Sequence, residues 1–172
     1  GITPGAVDYS AVVQKIKKSG ADAVIYGGYH PEASKIITLM RKKKMDTILI
    51  SDDGVKDDTF IKVAKQYAEG VYATGPKDVS KNPLTKRYAD RHKAEFKSDP
   101  GAFYYNAVSA AIALLTAIQN AGSTEYGAIV NALQTKEVDT PVGSIKFDKR
   151  GDAIGVGFAM YQVKNGQYVE VK

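Results

Sequence analysis

The chain has 172 residues, 44% of them hydrophobic, which is enough for one ordinary domain or two small lobes around a packed core and excludes global disorder. It contains no cysteine, so disulfides, thiolate metal sites and a cysteine nucleophile are excluded. The formal charge of +5 is spread along the chain, and its densest cluster, Arg41-Lys42-Lys43-Lys44, sits at a predicted helix end, where cations complement the helix dipole; no aromatics interleave with it for base stacking, so nucleic acid is not an expected partner.

In chain order, Asp8 is placed to cap a helix over residues 9–19, with Val12, Val13 and Ile16 on its inner face and Gly20 as its stop. Ala23–Tyr26 reads as a buried strand. The segment Tyr26-Gly27-Gly28-Tyr29-His30-Pro31-Glu32 follows it, with two glycines that free the backbone and a proline suited to the first turn of the next helix, 31–43. A second buried strand at 47–50 ends in Ser51-Asp52-Asp53-Gly54, a short helix covers 57–67, and a third strand covers 71–74. Strand–helix alternation with short links predicts a parallel sheet with helices on both faces.

The pattern changes after Pro76. Asn82 caps and Pro83 opens a polar helix to about Phe96, Ser98-Asp99-Pro100-Gly101 breaks it, and 103–120 is a longer apolar helix expected to be buried on most sides. A helix at 124–134, a strand near 144–147 and a turn at 148–152 follow. Two alternating runs, 158–163 and 168–171, flank Asn165-Gly166 and predict a hairpin. The stretch 74–81 is the candidate lobe boundary. No apolar run approaches about 18 residues, so no membrane span is predicted, and Gly1-Ile2-Thr3-Pro4-Gly5 is not a signal peptide; a signal for export is expected outside this chain.

Catalytic signatures are missing: there is no phosphate-binding loop ending in Lys-Ser/Thr and no Gly-x-Ser-x-Gly elbow. His30 and His92 fall in different elements, so no histidine metal pair is expected. Asp52 and Asp53 are adjacent on an extended segment and point opposite ways, so at most one of them faces a ligand and a carboxylate dyad is not expected. Asp148 and Asp152 around Gly151 lack the remaining ligands of a calcium loop and read as a turn. No catalytic residue, metal or cofactor is expected. Ligands of open α/β sheets bind at the carboxyl ends of the strands, which singles out the Gly27–Glu32 segment for a small molecule that is part apolar and part charged.

Five segments occur in a fixed order: Asp8-Tyr9-Ser10, Tyr26 through Glu32, Asp53-Gly54-Val55, Asp99-Pro100-Gly101-Ala102-Phe103, and Phe147-Asp148 with Gly151-Asp152. Together they resemble the periplasmic branched-chain (leucine/isoleucine/valine) amino acid binding proteins of ABC importers, over nearly the whole chain but over only the second half of the length of such proteins. The resemblance implies the type I periplasmic binding protein fold, α/β with Rossmann- or flavodoxin-like lobes, here partial. Residues 1–75 with 154–172 would form the C-terminal lobe and 76–153 part of the N-terminal lobe, with hinge crossings near 75–80 and 150–155.

By the same resemblance, Tyr29 lines the ligand, Asp53 pairs with its α-ammonium and Phe103 closes over its side chain. The leucine/isoleucine/valine members carry Glu where this chain has Asp53, one methylene shorter. The expected partners are an aliphatic L-amino acid and a membrane permease, the expected location is the periplasm, and the expected role is carriage, not catalysis. Each residue also has a plainer reading: Tyr29 as a packed strand-end aromatic, Asp53 as a helix cap, Phe103 as a core residue opening a buried helix. The alternative function is a sensory or regulatory ligand-binding domain of the same fold; an enzyme on a flavodoxin-like sheet would need a better phosphate loop than Gly27-Gly28-Tyr29-His30. Without the other half of such a protein, the strand at 23–26 would have a bare edge, which a second copy of the chain could cover as a homodimer, or which repacking into one lobe could remove.

Overall fold

The structure is a computed structural model that describes all residues, Gly1–Lys172. The elements in order are α1 (Ser10–Ser19), β1 (Ala23–Tyr26), α2 (His30–Lys42), β2 (Ile48–Ser51), α3 (Asp58–Ala64), β3 (Tyr72–Pro76), α4 (Pro83–Phe96), α5 (Tyr104–Ala121), α6 (Tyr126–Thr135), β4 (Val138–Thr140), β5 (Gly143–Phe147), β6 (Ala153–Ile154), β7 (Phe158–Lys164) and β8 (Gln167–Glu170). Single 3-10 turns occupy Asp53–Val55 and Lys65–Ala68. The chain divides into two units, Gly1–Gly75 with Phe158–Lys172, and Pro76–Gly157. The return to the first unit falls later than residue 154 because Ala153 and Ile154 pair with Phe147 and Lys146 in the second unit's sheet.

The first unit carries a five-stranded sheet ordered β1-β2-β3-β7-β8. β1, β2 and β3 run parallel, with Val24 beside Leu49 and Ile50 beside Tyr72. β7 and β8 form the hairpin that Asn165-Gly166 announces, its two turn residues at φ 53° and 72°. Tyr9 and Val13 at the start of α1, Ile36, Ile37 and Met40 of α2, and Phe60 of α3 share one core cluster with Leu49 and Val163 of the sheet and Val71 just before β3.

Because the strand order follows the chain, right-handed crossovers leave α2 and α3 on the same face of the sheet. The expectation of helices on both faces is therefore corrected. Ile25 is 87% exposed and Ile48 is also exposed, while Val24 and Leu49, one residue away on the pleat, turn toward the core. β1 is thus an edge strand buried on one side only.

The α1 cap also differs from the sequence expectation. Tyr9 occupies the cap position, and Asp8, one residue earlier, accepts from the Ser10 amide at 3.0 Å and the Ser10 hydroxyl at 2.7 Å. In the basic cluster, Arg41 donates from Nη1 to the carbonyls of Met45 and Thr47 at 2.6 and 3.0 Å, so its guanidinium secures the link from α2 into β2.

The second unit packs α4, α5 and α6 with a three-stranded sheet ordered β4-β5-β6, antiparallel throughout. Asn82 caps α4 through the Leu84 amide at 2.9 Å, with Pro83 in the first turn. The expectation that α5 is buried on most sides is corrected: Ser109, Ala113 and Ala117 are buried, but Leu114 is exposed and Leu115 is 66% exposed. The small residues mark the contact stripe, and the leucines lie outside it. No helix is long and apolar enough to cross a membrane.

Candidate functional site

The carboxyl ends of β1 and β2 lie side by side, with Tyr26 in register with Ser51. The buried Ser51 hydroxyl donates to the Tyr26 carbonyl at 3.1 Å and ties the two strand ends together. Two loops leave this edge: Gly27–Tyr29, running into α2, and Asp52–Asp57, running into α3. They meet at Gly54, where an added Cβ would collide with the Gly28 carbonyl oxygen and come within 3.0 Å of the Tyr29 ring. Any side chain at Gly54 would therefore push the two loops apart.

Tyr26 supports the first loop from beneath. Its ring passes so close to Gly28 that a Cβ there would lie 2.6 Å from the hydroxyl oxygen. Burial, and then the nearby Glu32 charge, pushes the Tyr26 hydroxyl up to about 12, so it remains a protonated donor to the Tyr29 carbonyl at 3.4 Å. Tyr29 itself is 70% exposed. Its ring lies beside the second loop at Gly54, which sets aside the packed strand-end role.

On the second loop, Asp52 is extended and its carboxylate accepts from the Gly54 amide at 3.2 Å, capping the Asp53–Val55 turn. The cap role considered for Asp53 thus falls to Asp52. The half-buried Asp53 carboxylate takes part in no ion pair or hydrogen bond. Asp52 is thus taken up by the turn, while Asp53, the first residue of that turn, keeps its carboxylate without a partner. A loop edge with an aromatic face and an unpaired carboxylate suits a ligand carrying an ammonium group.

Phe103 belongs to the other unit. It precedes α5 at the cap position, its carbonyl accepts from the Ala107 amide at 3.0 Å, and its side chain is 44% exposed rather than in the core. The structure thus brings Tyr29 together with the Asp53 turn, while Phe103 stands in a separate unit. Glu32 turns away to accept from the Gly5 amide at 2.9 Å, a bond that is the main cause of its lowered pKa. No group of three histidine, aspartate or glutamate side chains is arranged to hold a metal ion. Asp148 instead receives the amides of Arg150 and Asp152 at 2.8 and 2.9 Å, a closed turn.

An open sheet whose parallel strands β1–β3 carry paired loops at their carboxyl ends defines a class of α/β ligand-binding lobe. A family model for periplasmic binding proteins matches residues 1–167, and the chain belongs to that family. It is 30% identical to a leucine-, isoleucine-, valine-, threonine- and alanine-binding protein of Pseudomonas aeruginosa, over 100% of this chain and 46% of that protein. It is 32% identical to the Leu/Ile/Val-binding protein of Escherichia coli K12, over 94% of this chain and 43% of that protein. Among solved structures, a leucine-binding protein of Thermotoga maritima superposes with a TM-score of 0.84 at 26% identity, covering 99% of this chain and 49% of that one. The chain spans about half the length of the curated relatives it matches.

Proposed function

We propose that this chain supplies part of a solute-binding protein of an ABC importer, which captures an aliphatic, branched-chain L-amino acid outside the cytoplasmic membrane and passes it to a membrane permease. The observation that carries this reading is the unpaired Asp53 carboxylate, on a turn that is capped by Asp52 and that meets the loop of the exposed Tyr29 at Gly54. In it, Asp53 takes the ligand's α-ammonium and Tyr29 lines the ligand. Aliphatic surface buried against such a ring contributes about 25 cal/mol per Å². The first unit acts as one lobe and the second as part of the other, and the groups that hold the ligand's carboxylate come from polypeptide outside these 172 residues. The similarity to proteins named for leucine, isoleucine and valine supports this ligand class.

The bare apolar face carrying Ile25 and Ile48 is, in this reading, covered in the whole protein. Expressed alone, the chain can cover it with a second copy, and light scattering distinguishes that dimer from a monomer of 18.5 kDa.

Calorimetry on the whole protein tests the site. Leucine, isoleucine or valine should bind, and Asp53→Ala should weaken binding by roughly 10- to 100-fold, since a charge-assisted bond contributes about 1.5–3 kcal/mol. Unchanged affinity in Asp53→Ala would remove that residue from the site, and no response to any aliphatic amino acid would remove the ligand class.

A further inference from the structure

Asp53 sits on a three-residue turn, and a carboxylate on so short a turn is only as well placed as the turn beneath it. Besides the Asp52 cap and the turn's own backbone bonds, three contacts at Val55 hold this turn. The Val55 side chain is fully buried in the core. The Val55 carbonyl accepts from the Asp57 amide at 2.8 Å, and also from the Tyr168 hydroxyl at 2.6 Å. The first is to the core and the second is local; the third comes from β8, 113 residues further along the chain.

Tyr168 is well placed for this task. Its ring packs on Phe60 at 6.5 Å between centroids, so the phenol has a fixed base in the core. Burial raises its pKa, and the charge of Asp57 adds to the effect, so the hydroxyl keeps the proton it donates. The strand pair that carries it is pinned at its far end, where Glu69 accepts from the amides of Asn165 and Gly166 at 3.0 and 2.6 Å. Lys56, the next residue after Val55, lies with its ammonium 4.2 Å from the Tyr161 ring centroid of β7 and 6.0 Å from that of Tyr168. The C-terminal hairpin therefore grips the turn at two consecutive residues.

We propose that Tyr168 is a positioning residue for Asp53: its hydroxyl, delivered by the C-terminal hairpin, fixes the Asp53–Val55 turn and with it the carboxylate at the ligand site. The part concerning ligand rests on the function proposed above; the part concerning the turn does not.

Tyr168→Phe removes the hydroxyl and keeps the ring on Phe60. Hydrogen exchange on the whole protein should show the amides of Gly54, Val55 and Lys56 exchanging roughly fivefold faster, as expected for loss of one hydrogen bond, with α2 amides unchanged. Unchanged exchange in the turn overturns the proposal, and so does a uniform rise across the unit, which would mark a merely structural residue. Leucine binding is then measured in a double-mutant cycle. Tyr168→Phe should weaken binding about fivefold when Asp53 is present and have no effect in Asp53→Ala. Equal weakening in both backgrounds overturns the link to Asp53. A parent protein that binds no aliphatic amino acid would defeat the function proposed above, and the exchange result would still decide whether Tyr168 holds the turn.

Discussion

The two units are held together by different means. In the first, the largest fully buried side chains are apolar: Phe60, Ile37, Met40, Leu49, Val13 and Val71 among them. In the second, the largest fully buried side chains are Ser109, Thr140 and Pro141, the helical contacts run through Ala113, Ala117 and Ala132, and Val138 and Ile145 are the larger apolar side chains that are buried. What the second unit lacks in apolar bulk it supplies in hydrogen bonds to one turn. Thr85 donates to the Pro141 carbonyl at 2.8 Å, Asn82 donates to Thr140 and Pro141 at 2.8 and 3.1 Å, and the Val142 amide donates to the Ser109 hydroxyl at 3.3 Å. Burying a large apolar side chain stabilises by about 1.5–3 kcal/mol, whereas a net hydrogen bond contributes about 0.5–1.5. The first unit concentrates apolar bulk on one face of its sheet and leaves the other bare; the second relies more on hydrogen bonds than on apolar bulk.

The sharpest way to break this contrast is to truncate one large residue in each unit. Phe60→Ala should destabilise the first unit by about 3–5 kcal/mol, because it opens a cavity under α3 that the sheet cannot fill. Leu115→Ala, on the exposed side of α5, should stay within about 0.5 kcal/mol of the parent. Urea unfolding followed by circular dichroism measures both. A loss above about 2 kcal/mol for Leu115→Ala would mean that α5 has a covering partner in solution.

A middle-sized effect probes the hydrogen-bonded turn. Asn82 does two things at once: its side-chain oxygen caps α4 and its amide donates to two carbonyls of the 140–141 segment. Asn82→Ala should cost about 2 kcal/mol, roughly 1 for the cap and the rest for the carbonyls left behind. Asn82→Asp separates the two roles, since it keeps the cap and loses the donor. It should recover only part of the loss in the same unfolding experiment, and full recovery would show that the bonds to Thr140 and Pro141 contribute nothing.

The features legible in the sequence are those with local signals. Asn82-Pro83 starts a helix and Asn165-Gly166 turns a hairpin because cap and turn chemistry depend on neighbours alone. β4 and β6, of three and two residues, are too short to show a period. The bare edge of β1 with its exposed Ile25 was expected, but from the resemblance to longer proteins and not from any local signal; which leucines of α5 lie exposed was not legible, because apolar periodicity says which residues want cover, not what is present to cover them. The Tyr168–Val55 bond escaped because nothing near residue 168 points to a loop 113 positions earlier.

The smallest expected effect is on pH dependence, and it belongs to the first unit. Asp57 caps α3 by accepting from the Thr59 amide at 2.7 Å. Burial raises its pKa, but the hydrogen bonds from Thr59 lower it more, with help from the charges of His30 and Lys62, and the net position is below the ordinary 3.8. A carboxylate held below its unfolded value binds fewer protons in the folded state. The stability it contributes is therefore present above pH 3.8 and is lost as pH falls through the lower folded value. Asparagine caps a helix about as well as aspartate and does not titrate. Asp57→Asn should therefore match the parent within about 0.5 kcal/mol at neutral pH, and its stability should fall less steeply on acidification below pH 4. Thermal unfolding of both proteins at matched pH checks this. Parallel acid limbs would show that the Asp57 carboxylate gains nothing from its cap, and that the acid sensitivity of this unit arises elsewhere.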